Sequence, residues 1–348
     1  MRALTIGGHG GFERIEFRSD IPVPRIESPR DVRVRVRAAS LNHLDLFVVA
    51  GLPGIKITAP WILGSDAVGV VESIGDAVNE VAVGTRVVVN PGIGCGECEY
   101  CRDGEHPLCV RFQVLGEHRT GTFGDFVVVP ATHVLPIPES IPDEVAAAFP
   151  LATLTAWRMI VTRAKVVPTD LVLVQGIGSP VAIAALQIAK RRGATVWVTS
   201  SSEEKLAKAR ALGADEGFNY TTQDVSREVR ARTGKRGATV VIDNSGTAGW
   251  KSSLGALGRR GRLVTCGATT GPMVETDVRR LFWNQWTIMG STMGSEAEFA
   301  AVVAEFSAGG LTMAVDSVFP LEGGRKAFER VSSGAHFGKV VLRVSDEG

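Results

Sequence analysis

Several features are scarce in this sequence of 348 residues, and each scarcity excludes a class of protein. Lys plus Arg number 38 and Asp plus Glu 37, so the formal net charge is only +1, and no basic surplus attracts nucleic acid or an anionic membrane. No apolar run is long enough to span a bilayer. The first residues lack the charged, apolar and small-residue pattern of a secretion signal. We therefore expect a cytoplasmic protein without nucleic-acid or membrane partners.

The length and the spacing of apolar runs predict two domains. Hydrophobic residues make up 45% of the chain, and the length suits two compact cores better than one. Up to about residue 130, short β-like runs such as VRVRVRA (32–38) are broken by Gly and Pro, with one helix predicted over 43–51. From about residue 150, apolar strands alternate with helices, as in LVLVQG (171–176) followed by a helical pattern over 181–193. The predicted class is α/β: a β-rich, barrel-like first domain and a doubly wound parallel sheet.

Four of the five cysteines lie close together, and their spacing predicts a metal site. Cys95, Cys98, Cys101 and Cys109 form the pattern C-x2-C-x2-C-x7-C. Four thiolates can surround one zinc ion tetrahedrally, which leaves no open position and makes the ion structural. An iron–sulfur cluster is the main rival, but the last gap is too long for the bacterial ferredoxin pattern. Free thiols or disulfides are a further alternative, and His106 could replace one ligand.

A turn after the strand LVLVQ predicts a dinucleotide-binding site. It reads Gly176, Ile177, Gly178, Ser179, Pro180, Val181, with valine where G-x-G-x-x-G has its last glycine. Ser179 is suited to cap the following helix and Pro180 to begin it. The helix N-terminus would then direct free N–H groups at a pyrophosphate. The alternative is an ordinary strand-to-helix turn.

The end of the next strand favours NADP(H) over NAD(H). NAD enzymes usually place Asp or Glu there to bind the ribose 2′-hydroxyl. This strand ends in Thr199, Ser200, Ser201 and Ser202. Hydroxyls tolerate a 2′-phosphate, and Lys205 could balance its charge. The alternative is that the serines only cap the helix.

With these motifs in place, the whole chain resembles the medium-chain dehydrogenase/reductase superfamily. GCGECEYCRDGEHPLC (94–109) is similar to the structural zinc lobe of zinc alcohol dehydrogenases, and LGSDAVGVVESIG (63–75) to the segment that normally reads G-H-E-x-x-G-x-V. The resemblance implies a GroES-like catalytic domain over 1–152 and 292–348, with the zinc lobe at about 92–112. It implies a Rossmann dinucleotide-binding domain over 153–291.

The resemblance also implies where the active site lies. Asn42, Ser65 and Leu151 stand at the positions that bind catalytic zinc in the alcohol dehydrogenases, so we predict one structural zinc and no catalytic one. Asn42 and Asp45 resemble the N-x-x-D of the quinone oxidoreductase and enoyl reductase branches. The predicted catalytic residues are Asn42, Asp45, Ser65 and Asp66. Asp45 could transfer protons or support the loop, and Asp66 could pair with a buried arginine.

The same resemblance implies contacts to the dinucleotide from a larger set of residues. Tyr220 is similar to a tyrosine that contacts the 2′-phosphate, and His43 could contact the pyrophosphate or relay protons. The full predicted set is His43, Thr155, Gly176, Gly178, Ser179, Pro180, Val181, Ser200, Ser201, Lys205, Tyr220, Asn244, Gly267, Ala268, Ser291, Thr292 and Met293.

These observations together predict an NADPH-dependent reductase without catalytic zinc. Its small-molecule substrate would carry an activated C=C bond or a quinone: an enone, a quinone or an enoyl thioester. One alternative is a zinc-type alcohol dehydrogenase acting on alcohols or aldehydes. Another is a non-catalytic dinucleotide-binding protein. The resemblance further implies a homodimer or homotetramer, with strand 286–292 at an edge-to-edge interface.

Overall fold

A computed structural model describes residues 1–345, and these residues form two compact units. The first unit comprises Met1–Leu154 and the described residues from Gly294 onward, and the second comprises Thr155–Met293. No helix among the described residues has the length and apolarity needed to cross a membrane.

The strands are numbered in chain order: β1 (Ala3–Ile6), β2 (Ile15–Arg18), β3 (Asp31–Ser40), β4 (Trp61–Ile62), β5 (Asp66–Ile74), β6 (Arg86–Val89), β7 (Gly92–Ile93), β8 (Gln113–Val114), β9 (Phe126–Pro130), β10 (Val134–Pro136), β11 (Leu171–Val174), β12 (Thr195–Ser200), β13 (Glu216–Asn219), β14 (Ala238–Asp243), β15 (Leu257–Thr265), β16 (Thr287–Gly290), β17 (Val315–Pro320) and β18 (Lys339–Arg343).

The α-helices are α1 (His43–Ala50), α2 (Glu99–Arg102), α3 (Asp143–Ala148), α4 (Pro150–Trp157), α5 (Pro180–Arg191), α6 (Glu203–Ala211), α7 (Val225–Arg232), α8 (Thr247–Ala256), α9 (Val278–Asn284), α10 (Glu296–Ser307) and α11 (Gly324–Ser332).

The first unit is built around β3, the longest strand of its main sheet. Val32, Val34 and Val36 are fully buried, while the arginines between them point away from the core, as a strand's period of two requires. The main sheet has the order β10-β6-β5-β3-β18-β17, and β9 also pairs with β3. β18 pairs with one side of β3, and β5 pairs with the other side. The end of β3 is therefore flanked by two segments that are distant from each other in the sequence.

The second unit is a parallel sheet with helices between its strands. The strand order is β13-β12-β11-β14-β15-β16, and each neighbouring pair is parallel. β11 comes first in the chain and lies at the centre, so the order of strands reverses between β11 and β14. Ligands of doubly wound sheets bind at such a reversal, beyond the carboxyl ends of the strands. The predicted doubly wound parallel sheet is confirmed.

The strongly patterned elements agree with prediction, and short or polar elements were missed. The predicted helix over 181–193 is α5, and the alternating run 32–38 lies inside β3. Helix α7 was not predicted, because its sequence VSREVRAR is mostly polar and buries only Val225 and Val229. A helix that buries so little carries a weak apolar signal.

We expect Gly64→Ala to destabilise the first unit strongly. Gly64 has φ +96°, and a Cβ there would lie 2.2 Å from Cδ1 of the buried Phe123 ring. Overpacking and the unfavourable φ together should cost about 3 kcal/mol. Gly54→Ala is the matched control, because Gly54 has φ +82° but open space around its Cβ, and it should cost only ~1 kcal/mol. Urea unfolding followed by circular dichroism measures both, and equal losses would contradict the packing argument.

Candidate functional site

The polar centre of the first unit joins three segments that are far apart in the sequence. Lys339 Nζ, at the start of β18, donates to Asn42 Oδ1 at 2.7 Å and to Asp66 Oδ2 at 2.8 Å. Asn42 Nδ2 donates to the same Asp66 oxygen at 2.9 Å. Asp66 and Lys339 are fully buried, and Asn42 is 7% exposed. Asp66 therefore pairs with a lysine and not with a buried arginine, the pairing that the sequence left open.

Sequence reasoning missed Lys339, although a signal was present. The lysine stands in the apolar strand GKVVLRV, where burial of an ammonium group is expected only with a partner. The partner could not be identified from the sequence because Asp66 is 273 positions away.

Asp45 supports the loop that presents Asn42. The backbone N–H of Asn42 donates to Asp45 Oδ2 at 2.7 Å, which closes the first turn of α1. Burial raises the pKa of the Asp45 carboxyl to about 7, and bonds from backbone N–H groups oppose that rise. Because this carboxyl is fully enclosed and bonded to the backbone, the geometry favours the supporting role over proton transfer.

The side chains at the predicted catalytic-zinc positions do not fit a second metal ion. Ser65 Oγ donates to the carbonyl of Leu115 at 2.8 Å. The Leu151 side chain has no atom that can bind a metal, and the Leu151 backbone N–H donates to Asp66 Oδ1 at 2.8 Å. The Asp66 carboxylate also accepts from Asn42, Lys339 and, at 3.3 Å, the hydroxyl of Ser40. A carboxylate held by so many donors and an ammonium group is a poor ligand.

The cysteine lobe, by contrast, fits one zinc ion. The sulfurs of Cys95, Cys98, Cys101 and Cys109 all lie within 4.8 Å of one another. Within residues 1–345, no other cluster of three or more His, Cys, Asp or Glu side chains is arranged to share one metal ion. Tetrahedral thiolates around zinc lie about 3.8 Å apart, and an iron–sulfur cluster, with several metal atoms between its ligands, holds them farther apart.

Backbone N–H groups donate to some of these sulfurs and so favour their thiolate form, whereas burial raises the pKa of Cys101 to about 12. The backbone N–H groups of Cys95 and Arg111 donate to Cys109 Sγ at 3.2 and 3.3 Å. The N–H of Cys98 lowers the pKa of Cys95 to about 6. His106 is not part of the cluster; its Nε2 lies 3.5 Å from Glu296 Oε1.

The dinucleotide turn is built as a close bend into α5. Gly176 and Gly178 have φ +67° and +122°, a region that favours glycine. Ser179 caps α5 by accepting from the N–H of Ala182 at 3.3 Å, and Asn244 Nδ2 donates to Ser179 Oγ at 2.7 Å. A Cβ on Gly178 would lie 2.8 Å from Cδ of Lys205, so the lysine side chain passes directly over the turn.

The end of β12 carries no acidic side chain. The N–H of Ser202 donates to Ser200 Oγ at 3.2 Å, and Ser202 caps α6 by accepting from the N–H of Lys205 at 3.3 Å. Glu203 Oε1 accepts from Asn219 Nδ2 at 2.8 Å. Tyr220 follows β13 and is 52% exposed.

Most of the other predicted dinucleotide residues lie at one edge of the second unit. Parallel strands place their carboxyl ends at the same edge of a sheet, and these residues follow three of the strands. Asn244 follows β14, Gly267 and Ala268 follow β15, and Ser291, Thr292 and Met293 follow β16. Thr155 is buried within α4. His43 lies in the first unit at the start of α1, where burial lowers the pKa of its ring.

Comparison with known proteins gives consistent matches over the whole length. Residues 28–139 match the alcohol dehydrogenase GroES-like domain family, and residues 180–308 match the zinc-binding dehydrogenase family. A zinc-type alcohol dehydrogenase-like protein of Schizosaccharomyces pombe is 33% identical over 96% of each chain. An alcohol dehydrogenase of Geobacillus stearothermophilus is 32% identical, covering 94% of this chain and 98% of that one. A solved structure of an NAD-dependent alcohol dehydrogenase is 43% identical, has a TM-score of 0.95, and covers 99% of this chain and 100% of that one.

These relatives correct the reaction predicted from the sequence. The expectation of an enone, quinone or enoyl-thioester reductase is wrong, because the relatives are named alcohol dehydrogenases. The alternative considered beside it, action on alcohols or aldehydes, agrees with them. The expected preference for NADP(H) finds no support in a relative described as NAD-dependent. The GroES-like and Rossmann fold class is confirmed.

We expect the purified protein to hold one zinc ion per chain, because within residues 1–345 only the cysteine lobe has a suitable donor set. Mass spectrometry of the native protein and metal analysis by plasma emission measure the ratio. Cys98→Ser should lower zinc content by more than half and reduce thermal stability, since a closed zinc site contributes folding energy. Cys266→Ser, at the cysteine outside the cluster, should retain the full metal content. Two zinc ions per chain would contradict the assignment.

Proposed function

The chain belongs to the medium-chain dehydrogenase/reductase superfamily, and we propose that it is a dinucleotide-dependent oxidoreductase that interconverts a small alcohol and the corresponding aldehyde or ketone. The observation that carries the proposal is the match, over nearly the whole chain, to alcohol dehydrogenases in both sequence and structure. In the oxidative direction, hydride leaves the alcohol carbon for the nicotinamide ring and the hydroxyl proton is released.

Such a reaction needs hydrogen-bond donors at the substrate oxygen, which carries alkoxide charge before hydride leaves the carbon in oxidation and gains that charge when hydride adds to the carbonyl carbon in reduction. Asn42 is the member of the buried polar centre with exposed surface, and Asp66 takes one of its two amide hydrogens. We assign the other hydrogen to the substrate oxygen. Lys339 holds the amide in this orientation, because its ammonium group donates to Asn42 Oδ1. Asp45 and Asp66 are assigned as positioning residues, and Ser65 as a support for the segment before β5.

For the cofactor, we propose that the chain accepts both NAD(H) and NADP(H) with little discrimination. Ser200 at the end of β12 offers no carboxylate that would repel a 2′-phosphate. Lys205, the cation predicted to balance the 2′-phosphate, extends over Gly178 at the dinucleotide turn. Residues 199–202, at the end of β12, thus include neither the acid that selects NAD(H) nor a cation that would select NADP(H).

We propose that the two domains have separate roles. We assign dinucleotide binding to residues 153–291 and the substrate and structural zinc to residues 1–152 and 292–348. Zinc held by four thiolates persists where thiols stay reduced, so we place the protein in the cytoplasm.

We further propose that the protein forms a homodimer through the second unit. β16 is the edge strand of the parallel sheet, and an unpaired edge is a site for pairing with another chain. Just before it, Met273, Val278, Phe282 and Trp283 are each more than 60% exposed. Large apolar groups clustered in sequence beside an open edge indicate an interface, and a second copy of this chain supplies both the strand and the apolar surface.

We expect primary or secondary alcohols to be oxidised, and aldehydes or ketones to be reduced, faster than enones or quinones. Absorbance at 340 nm across a panel of substrates measures the rates. Asn42→Ala should lower kcat about 100-fold with little change in dinucleotide affinity, and Asn79→Ala, at an exposed asparagine, should match the wild type. A protein that binds dinucleotide yet turns over no alcohol or carbonyl compound would sink the proposal.

The wild-type kcat/KM values for NAD+ and NADP+ should lie within about tenfold of each other. Ser200→Asp should lower kcat/KM for NADP+ by about 100-fold or more and leave NAD+ nearly unaffected, because the new carboxylate repels the 2′-phosphate. Ser19→Asp adds the same charge at an exposed bend of the first unit and should change neither value. A wild-type preference above 100-fold in either direction contradicts the assignment.

Light scattering coupled to size exclusion should give twice the chain mass at micromolar concentration. Replacing Phe282 and Trp283 together with Asp should yield a folded monomer, because two charges cannot be buried in an apolar interface. Val83→Asp, at an exposed turn of the first unit, should remain a dimer. A wild-type monomer, or a dimer that survives the double substitution, rules out this interface.

A further inference from the structure

A continuous chain of hydrogen bonds runs through the second unit behind the dinucleotide turn. It begins at the backbone N–H of Gly176, which donates to Thr199 Oγ1 at 3.0 Å. The Thr199 hydroxyl donates to Gln175 Oε1 at 2.7 Å, and Gln175 Nε2 donates to Ser253 Oγ at 3.1 Å. The Ser253 hydroxyl donates to Asp243 Oδ2 at 2.7 Å, where the chain ends.

The two ends of this chain fix its direction. A backbone N–H can only donate and a carboxylate can only accept, so each hydroxyl and amide between them has one consistent orientation. Every donor points toward Asp243, and the dipoles add head to tail. Hydrogen bonds aligned in this way strengthen one another where water is excluded.

The protein encloses this chain of hydrogen bonds. Thr199, Ser253 and Asp243 are fully buried and Gln175 is 6% exposed. Within the described residues, no Lys or Arg nitrogen lies within 4.0 Å of the Asp243 carboxylate, which is balanced by hydrogen bonds alone. Its other oxygen accepts from the N–H and hydroxyl of Ser245 and from the N–H of Gly246. A buried charge balanced only by hydrogen bonds is sensitive to the loss of any one of them.

Thr199 holds the dinucleotide turn at a second point. Its backbone carbonyl accepts from the N–H of Ile177 at 2.7 Å, so the N–H groups of both Gly176 and Ile177 point inward. The N–H of Ser179 bonds the carbonyl of Gly176 at 3.3 Å, and Pro180 has no N–H. Within residues 176–181, the backbone donors left to face an anion are those of Gly178 and Val181.

We propose that Thr199, Gln175, Ser253 and Asp243 are positioning residues that hold this turn in the shape required for pyrophosphate binding. They leave the two N–H groups of Gly178 and Val181 for the ligand. The proposal deepens the proposed function, since it rests on dinucleotide binding at this turn. It also explains how the turn works with Val181 in place of the motif's last glycine: the bend depends on side chains behind it as well as on the glycines within it.

The test compares two threonine hydroxyls in the same unit. Thr199→Val removes the hydroxyl from the chain, Thr199→Ser retains it, and Thr233→Val removes a hydroxyl that bonds the carbonyl of Val229 and the N–H of Gly237 instead. Dissociation constants for NAD+ and ADP-ribose are measured by titration calorimetry, together with thermal unfolding and kcat at saturating cofactor. Thr199→Val should weaken both ligands about tenfold, with kcat within about twofold of wild type. Thr199→Ser should restore binding to within about threefold, and Thr233→Val should lower stability without changing either constant.

A second variant distinguishes a loss of positioning from a loss of folding in Thr199→Val. Asp243→Asn preserves the size of the side chain but can place an N–H₂ group against the Ser253 hydroxyl, which breaks the direction of the chain. It should weaken NAD+ and ADP-ribose by a similar factor while the protein remains folded. Unchanged affinities in both Thr199→Val and Asp243→Asn, or equal losses in Thr199→Val and Thr233→Val, overturn the inference. Failure of the wild-type protein to bind either ligand would instead overturn the proposed function, and the inference with it.

Discussion

A lysine and an aspartate that solvent does not reach hold the polar centre of the first unit together. Lys339 begins β18 and Asp66 begins β5, and both strands flank β3, whose chain continues directly to Asn42. Removing one member of a buried ion pair leaves the other uncompensated, at a cost of about 3–5 kcal/mol. The pair therefore fixes where three segments meet, and the position of the Asn42 amide follows from that meeting.

Two other parts of the protein stabilise buried charge in different ways. In the second unit, the Asp243 carboxylate has no cation beside it and is balanced by a row of aligned hydrogen bonds. In the cysteine lobe, backbone N–H groups stabilise the sulfurs, and a zinc ion would supply the positive charge. Each solution also fixes geometry, because a charge in a medium of low dielectric tolerates little displacement of its partners.

The error over the reaction has a physical explanation. Asn42, Ser65 and Leu151 led to the prediction that an activated C=C bond or a quinone is reduced, because a site without catalytic zinc lacks the Lewis acid that stabilises an alkoxide. Reduction of a carbonyl group and reduction of an activated C=C bond both place negative charge on an oxygen when hydride is added, so one set of donors serves either. Which carbon receives hydride depends on how the substrate is oriented, and no local sequence pattern specifies that orientation.

By itself, the sequence determined the features that depend on near neighbours. The spacing of the cysteines predicted the four-thiolate cluster, the period of two in β3 predicted its buried valines, and Ser179 and Pro180 predicted the start of α5. The tertiary structure alone decided which distant groups meet: Lys339 with Asp66, Thr199 with Gly176, and Ser253 with Asp243. Local patterns arise from backbone geometry within a few residues, whereas these contacts arise because folding places separate strands side by side, and a buried polar atom must then bond whatever partner lies within reach.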